Sequence, residues 1–244
     1  MRFRFMTIIA AAMILQLHGG EIEYTKGEEF APVSMDNVAI VPGSALDLSN
    51  LIEAPAGKYG RIVASPDGTL FAEQNKGQKF RLFGGNGVPT AMWHGGDDAE
   101  FRKNAAEFAV AFRRQGYNCL RLHGIDQKIM TDTGSGKPLQ FNAKYLDRWD
   151  FLLSEMKKQG CYFQLVIFSF HLYEPTVNHT KAFKDRRLHK LMMYLGRDWE
   201  RERFRKGAEL LLNHVNPYTG MAWKDDPAFA VVEFYNEQYD GLFT

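Results

Sequence analysis

The sequence predicts an α/β fold in which helices alternate with buried strands after a small β-meander. Three observations carry this expectation. Three segments each place apolar residues on a single helical stripe with the same spacing. Two of those segments end in a basic pair followed by Gln-Gly, and a strand-like run follows each. One such run, Leu165-Val166-Ile167-Phe168, is apolar on both faces, as suits a strand of a parallel sheet covered on both sides.

Taken from the N-terminus, Arg2 and Arg4 precede the uncharged run Phe5 to Leu17. That run is short for a bilayer span and has the basic-then-apolar order of a secretory signal. Residues 1–20 are therefore expected to be a signal peptide cleaved near Gly19 or Gly20, and the mature protein to be secreted or periplasmic. Residues 21–79 are expected to be an extended lead-in followed by β-hairpins. Arg61–Ala64 and Thr69–Glu73 flank the turn Pro66-Asp67-Gly68, and Asn75-Lys76-Gly77 is expected to turn the chain into a third strand, Lys79–Phe83.

Residues 80–244 carry the alternation. Helix one is expected near Asp97–Gln115 (Phe101, Ala105, Phe108, Ala109 and Phe112 on its stripe), and helix two near Asn142–Gln159 (Tyr145, Trp149, Leu152, Leu153 and Met156). Helix three is expected near Asp198–His214, with Phe204, Ala208, Leu211, Leu212 and Val215. Helices one and two end in Arg113-Arg114-Gln115-Gly116 and Lys157-Lys158-Gln159-Gly160. Cations suit the negative helix end, and glycine suits the left-handed residue after it. The strands are expected at Phe80–Asn86, Tyr117–His123, Cys161–Phe170 and Phe229–Tyr235. Both an open doubly wound sheet and a (β/α)₈ barrel fit this order. The glycines of Phe83-Gly84-Gly85-Asn86-Gly87 lie too far ahead of the next helix for a dinucleotide-binding turn.

Composition narrows the partners. The 244 residues are 45% hydrophobic, 24% charged and 14% aromatic, with a formal net charge of +1. This is globular composition, with no overall field to attract nucleic acid or an anionic membrane. Cys119 and Cys161 are too few for a disulfide framework and are expected to be buried free thiols. Trp223, just ahead of the last strand, is expected to be packing.

In a parallel α/β fold the chemistry sits at the carboxyl ends of the strands. Those ends read Asn86, then Arg121 and His123, then His171, then Asn236 and Glu237, all polar and chemically capable. Arg121 and His123 share a strand face, as do Glu233, Tyr235 and Glu237. A carboxylate desolvated at the mouth of an apolar barrel is raised toward a proton donor's range, while one beside Arg121 is held ionised. Two carboxyl groups in opposed environments are what glycosidic bond cleavage uses. Glu233, deeper on its strand, is expected to be paired, with Arg121 as the partner.

Val232-Glu233-Phe234-Tyr235-Asn236-Glu237 resembles the fourth-strand signature of clan A glycoside hydrolases, which are (β/α)₈ barrels. Gly116–His123 is similar to their second strand, Ile167-Phe168-Ser169-Phe170-His171 to their third and Phe80–Asn86 to their first. Glycoside hydrolase family 5 and its cellulase-like relatives are the nearest match, over about residues 40–244. The resemblance implies a secreted glycosidase that cleaves poly- or oligosaccharides with retention and needs no cofactor. Glu237 would be the general acid/base, and Asn236 would bind the sugar 2-hydroxyl. Arg121 would orient the nucleophile, His123 and His171 would line the subsite beside the cleaved bond, and Asn86, Trp93 and His94 would contribute to sugar binding.

A (β/α)₈ barrel typically takes about 250 residues, and its family nucleophile is a glutamate on the seventh strand. The chain ends at Thr244, so the expectation is the N-terminal half of a barrel in a truncated record. Asp126 and Glu174 fall in expected loops at the same end, without context that makes either a substitute. Two other functions fit the residues. One is a metal-dependent hydrolase or isomerase using His123, His171 and Glu237; the other is a carbohydrate-binding barrel without catalysis. Asn178-His179-Thr180 fits a glycosylation acceptor, and the charged stretch 171–197 is expected to be a long loop.

Overall fold

The computed structural model of the protein describes residues 39–87, 97–129, 140–169, 195–196 and 198–236. The expected signal peptide, Trp93, His94, His171, Glu174, the Asn178 triplet and Glu237 lie outside the described residues. Those that are described belong to one unit, 39–244.

The elements follow from the local chemistry. A single 3₁₀ turn, Ser49–Leu51, precedes the antiparallel meander β1 (Ile62–Ala64), β2 (Leu70–Ala72) and β3 (Asn75–Phe80). The Pro66-Asp67-Gly68 turn forms as expected. Gly68 is left-handed at φ 81, Ser65 N–H reaches Thr69 O at 2.9 Å, and the Asp67 carboxylate accepts from Thr69 N and Ser65 Oγ. The second turn differs from expectation. It falls at Glu73-Gln74, where both N–H groups are taken by the lead-in, at Arg61 O and Tyr59 O. Gly77 is not left-handed and lies inside β3, so the third strand starts at Asn75 rather than at Lys79.

The main sheet runs β4 (Gly84–Asn86), β5 (Cys119–Leu122), β6 (Tyr162–Phe168), β9 (Phe229–Tyr235), all parallel. β4 is shorter than the expected Phe80–Asn86, because the Asn118 side chain clamps the chain ahead of it. Asn118 accepts from Phe83 N and donates to Arg81 O, each at 2.8 Å. Between the strands run α1 (Asp98–Arg114), α3 (Ala143–Lys158) and α4 (Asp198–Leu212). A short α2 (Ile125–Ile129), which the sequence did not suggest, follows β5. α4 ends before His214, and Val215 opens a small hairpin of β7 (Val215–Asn216) and β8 (Met221–Ala222). Val215 is therefore exposed and not part of the helical stripe.

Caps explain the helix boundaries. Asp97 accepts from Glu100 N at 2.9 Å and Asn142 from Tyr145 N at 3.3 Å, each satisfying an otherwise orphaned N–H. At the other ends Gly116 and Gly160 are left-handed, at φ 80 and 89. The lead-in completes those ends: Leu48 N–H reaches Arg114 O and Ala56 N–H reaches Lys157 O, both at 2.9 Å. The Arg113 guanidinium adds bonds to Ser49 O, Ile52 O and Gln159 O. Free carbonyls at two helix termini thus recruit the segment that closes the lower end of the sheet.

The core lies between the sheet and the helices. Leu120, Leu122, Phe163, Leu165 and Ile167 face Phe101, Ala105, Ala109 and Phe112 of α1, Leu152, Leu153 and Met156 of α3, and Leu211 of α4, in one buried cluster. Leu120 and Leu122 pair with Phe163 and Leu165, so the apolar rows run straight across the sheet. The other parity forms the second face, and there the row Asn86, Arg121, Gln164, Val231 crosses all four strands. Cys119 and Cys161 are free and buried, their thiols pushed up by burial, Cys119 to about 11. Trp223 is buried against Phe229, as expected of a packing residue.

Candidate active site

The polar row ends in a cluster built around Arg121. Parallel pairing sets Asn86 and Arg121 side by side on β4 and β5, and Arg121 and Gln164 on β5 and β6. Glu233 lies on the same face, one row further up, opposite Val166. Arg121 reaches across β6 to it. Nε donates to Glu233 Oε2 at 2.9 Å and an Nη to Oε1 at 2.6 Å, the two-pronged geometry that a guanidinium fork matches. The remaining guanidinium bonds go to Asn86 Oδ1 at 3.1 Å and Asn236 Oδ1 at 2.9 Å. Gln164 Nε2 completes the network at Glu233 Oε2, 2.9 Å away.

One cation therefore ties together the carboxyl ends of β4, β5 and β9. The expected pairing of Glu233 with Arg121 is present. The Arg121 fork holds the Glu233 carboxyl below its usual range; partial burial opposes this, while Gln164 and His123 reinforce it. Glu233 is thus an ionised carboxylate whose two oxygens both accept from neighbours. The pair is about a quarter exposed, so water reaches it.

The structure brings Asn86, Arg121, His123 and Asn236 of the expected set to one end of the sheet. His123 is half-buried just past β5, where the chain turns and His123 N–H reaches Arg121 O at 3.0 Å. Glu233 and Tyr235 share a face of β9, which ends at Tyr235. Asn236 lies in a bend, and its side chain joins the same guanidinium as Glu233 although its strand parity is opposite. Glu237, His171, Trp93 and His94 lie outside the described residues, so the structure does not position them. Two of the three ligands of the metal alternative, His171 and Glu237, are among these.

Two residues differ from the sequence expectation. Gln164 belongs to the network, and the signal available was a lone amide in the otherwise apolar run Tyr162–Phe168. Asp126 is not in a loop. It sits in α2, fully buried, where its Oδ2 accepts from Ser169 N at 3.0 Å, while Ser169 Oγ accepts from Gly124 N at 2.8 Å. These bonds fasten the end of β5 to the end of β6, which makes Asp126 a brace beneath the site.

No protein-family model matches the sequence, and no curated protein sequence matches it. Solved structures do share its fold. A variant of the glycoside hydrolase family 5 mannosidase from Rhizomucor miehei, solved in complex with mannosyl-fructose, superposes with a TM-score of 0.53 at 14% identity, over 75% of this chain and 50% of its own. The endo-1,4-beta-mannanase from Rhizomucor miehei gives a TM-score of 0.52 at 14% identity, over 73% of this chain and 48% of its own. This chain spans about half the length of these structures. At such identity the likeness is one of fold. With the parallel order β4-β5-β6-β9 and its intervening helices, it defines part of a (β/α)₈ barrel.

Proposed function

We propose that the protein is an exported glycoside hydrolase acting on a polysaccharide, with β-1,4-linked mannan the first substrate class to test. The observation that carries the reading is the Arg121 cluster. A cation at the carboxyl end of a barrel sheet holds one carboxylate ionised and fixes the amide oxygen of Asn236, the residue immediately before Glu237. The mannan-active proteins that share the fold supply the substrate class.

Glu233 is unsuited to proton donation. A carboxyl held ionised below its usual range carries no proton near neutral pH, and both its oxygens already accept from Arg121 or Gln164. The proton chemistry falls to Glu237. In this reading Glu237 protonates the departing glycosidic oxygen as the sugar transfers to a nucleophilic carboxylate. It then removes a proton from the water that releases the sugar with net retention. Asn236 holds the 2-hydroxyl, Arg121 keeps Asn86 and Asn236 in register, and His123 lines the adjoining subsite.

The test is release of reducing ends from β-1,4-mannan by the full-length gene product, with the anomer of the first product read by proton NMR. β product from β linkage supports the reading. No release from mannan or other β-linked glucans and xylans contradicts it.

A further inference from the structure

We infer that the lower end of the barrel carries a second, non-catalytic binding site for an acidic sugar. A cavity of about 400 Å³ opens there, between the lead-in, the meander and the N-terminal ends of the strands. Its walls include Asn118, just ahead of β5, and Gly160 and Tyr162 at the start of β6. It is therefore at the opposite end of the sheet from Asn86 and Asn236. The volume is in the range of small-molecule sites and suits one or two sugar rings.

The lining has three kinds of group. Phe80 and Tyr59 supply rings: Phe80 lies edge-on to the buried Tyr162 at 4.8 Å between centroids, and Lys58 Nζ covers one face of Tyr59 at 4.7 Å. Asn75 and Gln78 share one hydrogen bond, Nδ2 to Oε1 at 3.1 Å. Asn75 Oδ1 and Gln78 Nε2 have no other partner among the described residues, so an acceptor and a donor stand side by side, as a hydroxyl requires. The charges are unbalanced. Lys58 is ion-paired with Glu53 at 3.4 Å, but Lys79 and Arg81 make no side-chain hydrogen bond or ion pair among the described residues. Two unpaired cations two positions apart on one chain segment suit a carboxylate, which a guanidinium binds with its fork. Rings for an apolar sugar face, amides for hydroxyls and cations for a carboxylate together describe a uronate unit. The assignment to a sugar rests on the proposed polysaccharide function; the preference for a ring carrying a carboxylate does not.

The test is calorimetric titration of the full chain with a di-uronate, with its neutral disaccharide counterpart and with benzoate. The di-uronate is expected to bind saturably and at least about tenfold more tightly than the neutral sugar, and to weaken with salt. Lys79→Gln with Arg81→Gln, both at exposed positions, should cost about tenfold or more while circular dichroism stays unchanged. Glu233→Gln and Asn236→Ala should leave this binding intact whether or not mannan is hydrolysed, which separates this site from the proposed active site. The inference is overturned if the di-uronate does not bind, if neutral and acidic sugars bind alike, if the double variant binds like the parent, or if binding is lost in Asn236→Ala. Benzoate binding as tightly as the di-uronate overturns the sugar assignment.

Discussion

Arg121 and Glu233, 112 positions apart in the chain, meet through two parallel hydrogen bonds that cross over the intervening strand β6. Gln164, on that strand, donates to the same carboxylate. The pair links the second and fourth strands of the sheet at the end where the polar residues collect.

Arg121→Lys should be far from neutral. Lysine keeps the charge but has a single point of attachment, so it cannot serve Glu233, Asn86 and Asn236 together. Arg121→Ala leaves Glu233 without its counter-ion. Because both side chains are about a quarter exposed, the cost should be about 1–3 kcal/mol, below that of a fully buried pair. Urea unfolding of the two variants checks this, with Arg121→Ala the less stable.

The acid limb of stability should depend on Glu233. Its folded-state carboxyl titrates below the ordinary 4.5 because Arg121 favours the charged form. Its contribution is therefore fully present above the unfolded-state value and is lost as pH falls through the folded-state value. Glu233→Gln should flatten the Tm profile below about pH 4.5 and leave its shape near neutrality unchanged. A parallel downward shift at every pH would show that the pair contributes no pH dependence.

Gly160→Ala should destabilise more than Gly116→Ala. Both residues are left-handed, which alone costs alanine about 1 kcal/mol. At Gly160 a Cβ would also lie 2.3 Å from the Glu53 carbonyl oxygen, a backbone atom that cannot step aside. At Gly116 the nearest atom is Leu48 Cδ1 at 3.1 Å, on a side chain able to rotate. Thermal melts of the two variants check the order.

The alternation of helices and strands was legible in the sequence because each of the three long helices carries one stripe and the first two end on the same basic-pair-Gln-Gly chemistry. The pairing of Arg121 with Glu233 was legible too, since a carboxylate deep on its strand requires a cation. What the sequence hid depends on contacts distant in the chain. The second meander turn moved because the lead-in backbone binds Glu73 N and Gln74 N. β4 was shortened by the side chain of Asn118. Asp126 has the sequence context of a loop residue, because its buried partner is Ser169, 43 positions later. Gln164 carries no signal of its own, since a lone amide in an apolar strand acquires meaning only through its neighbours on β5 and β9.

Trp223→Phe should cost about 2 kcal/mol or more, because it strips a donor from a buried carboxylate. Asp150, 1% exposed and pushed up by burial, accepts from Trp223 Nε1 at 3.2 Å and is 2.6 Å from His214 Nε2. The loss should appear in the denaturation midpoint with little change in oligosaccharide binding at the Arg121 end, since Trp223 stacks on Phe229 at the opposite end of β9 from Asn236.

The most direct test of the central claim is the rate of Glu237→Gln in the full-length gene product on two substrates. One is a mannooligosaccharide, whose leaving group needs a proton; the other is an aryl mannoside, whose leaving group does not. The proposed role predicts a loss of about 10²- to 10⁴-fold on the first and a much smaller loss in the glycosyl-transfer step of the second. Cleavage of both at the parent rate would contradict it.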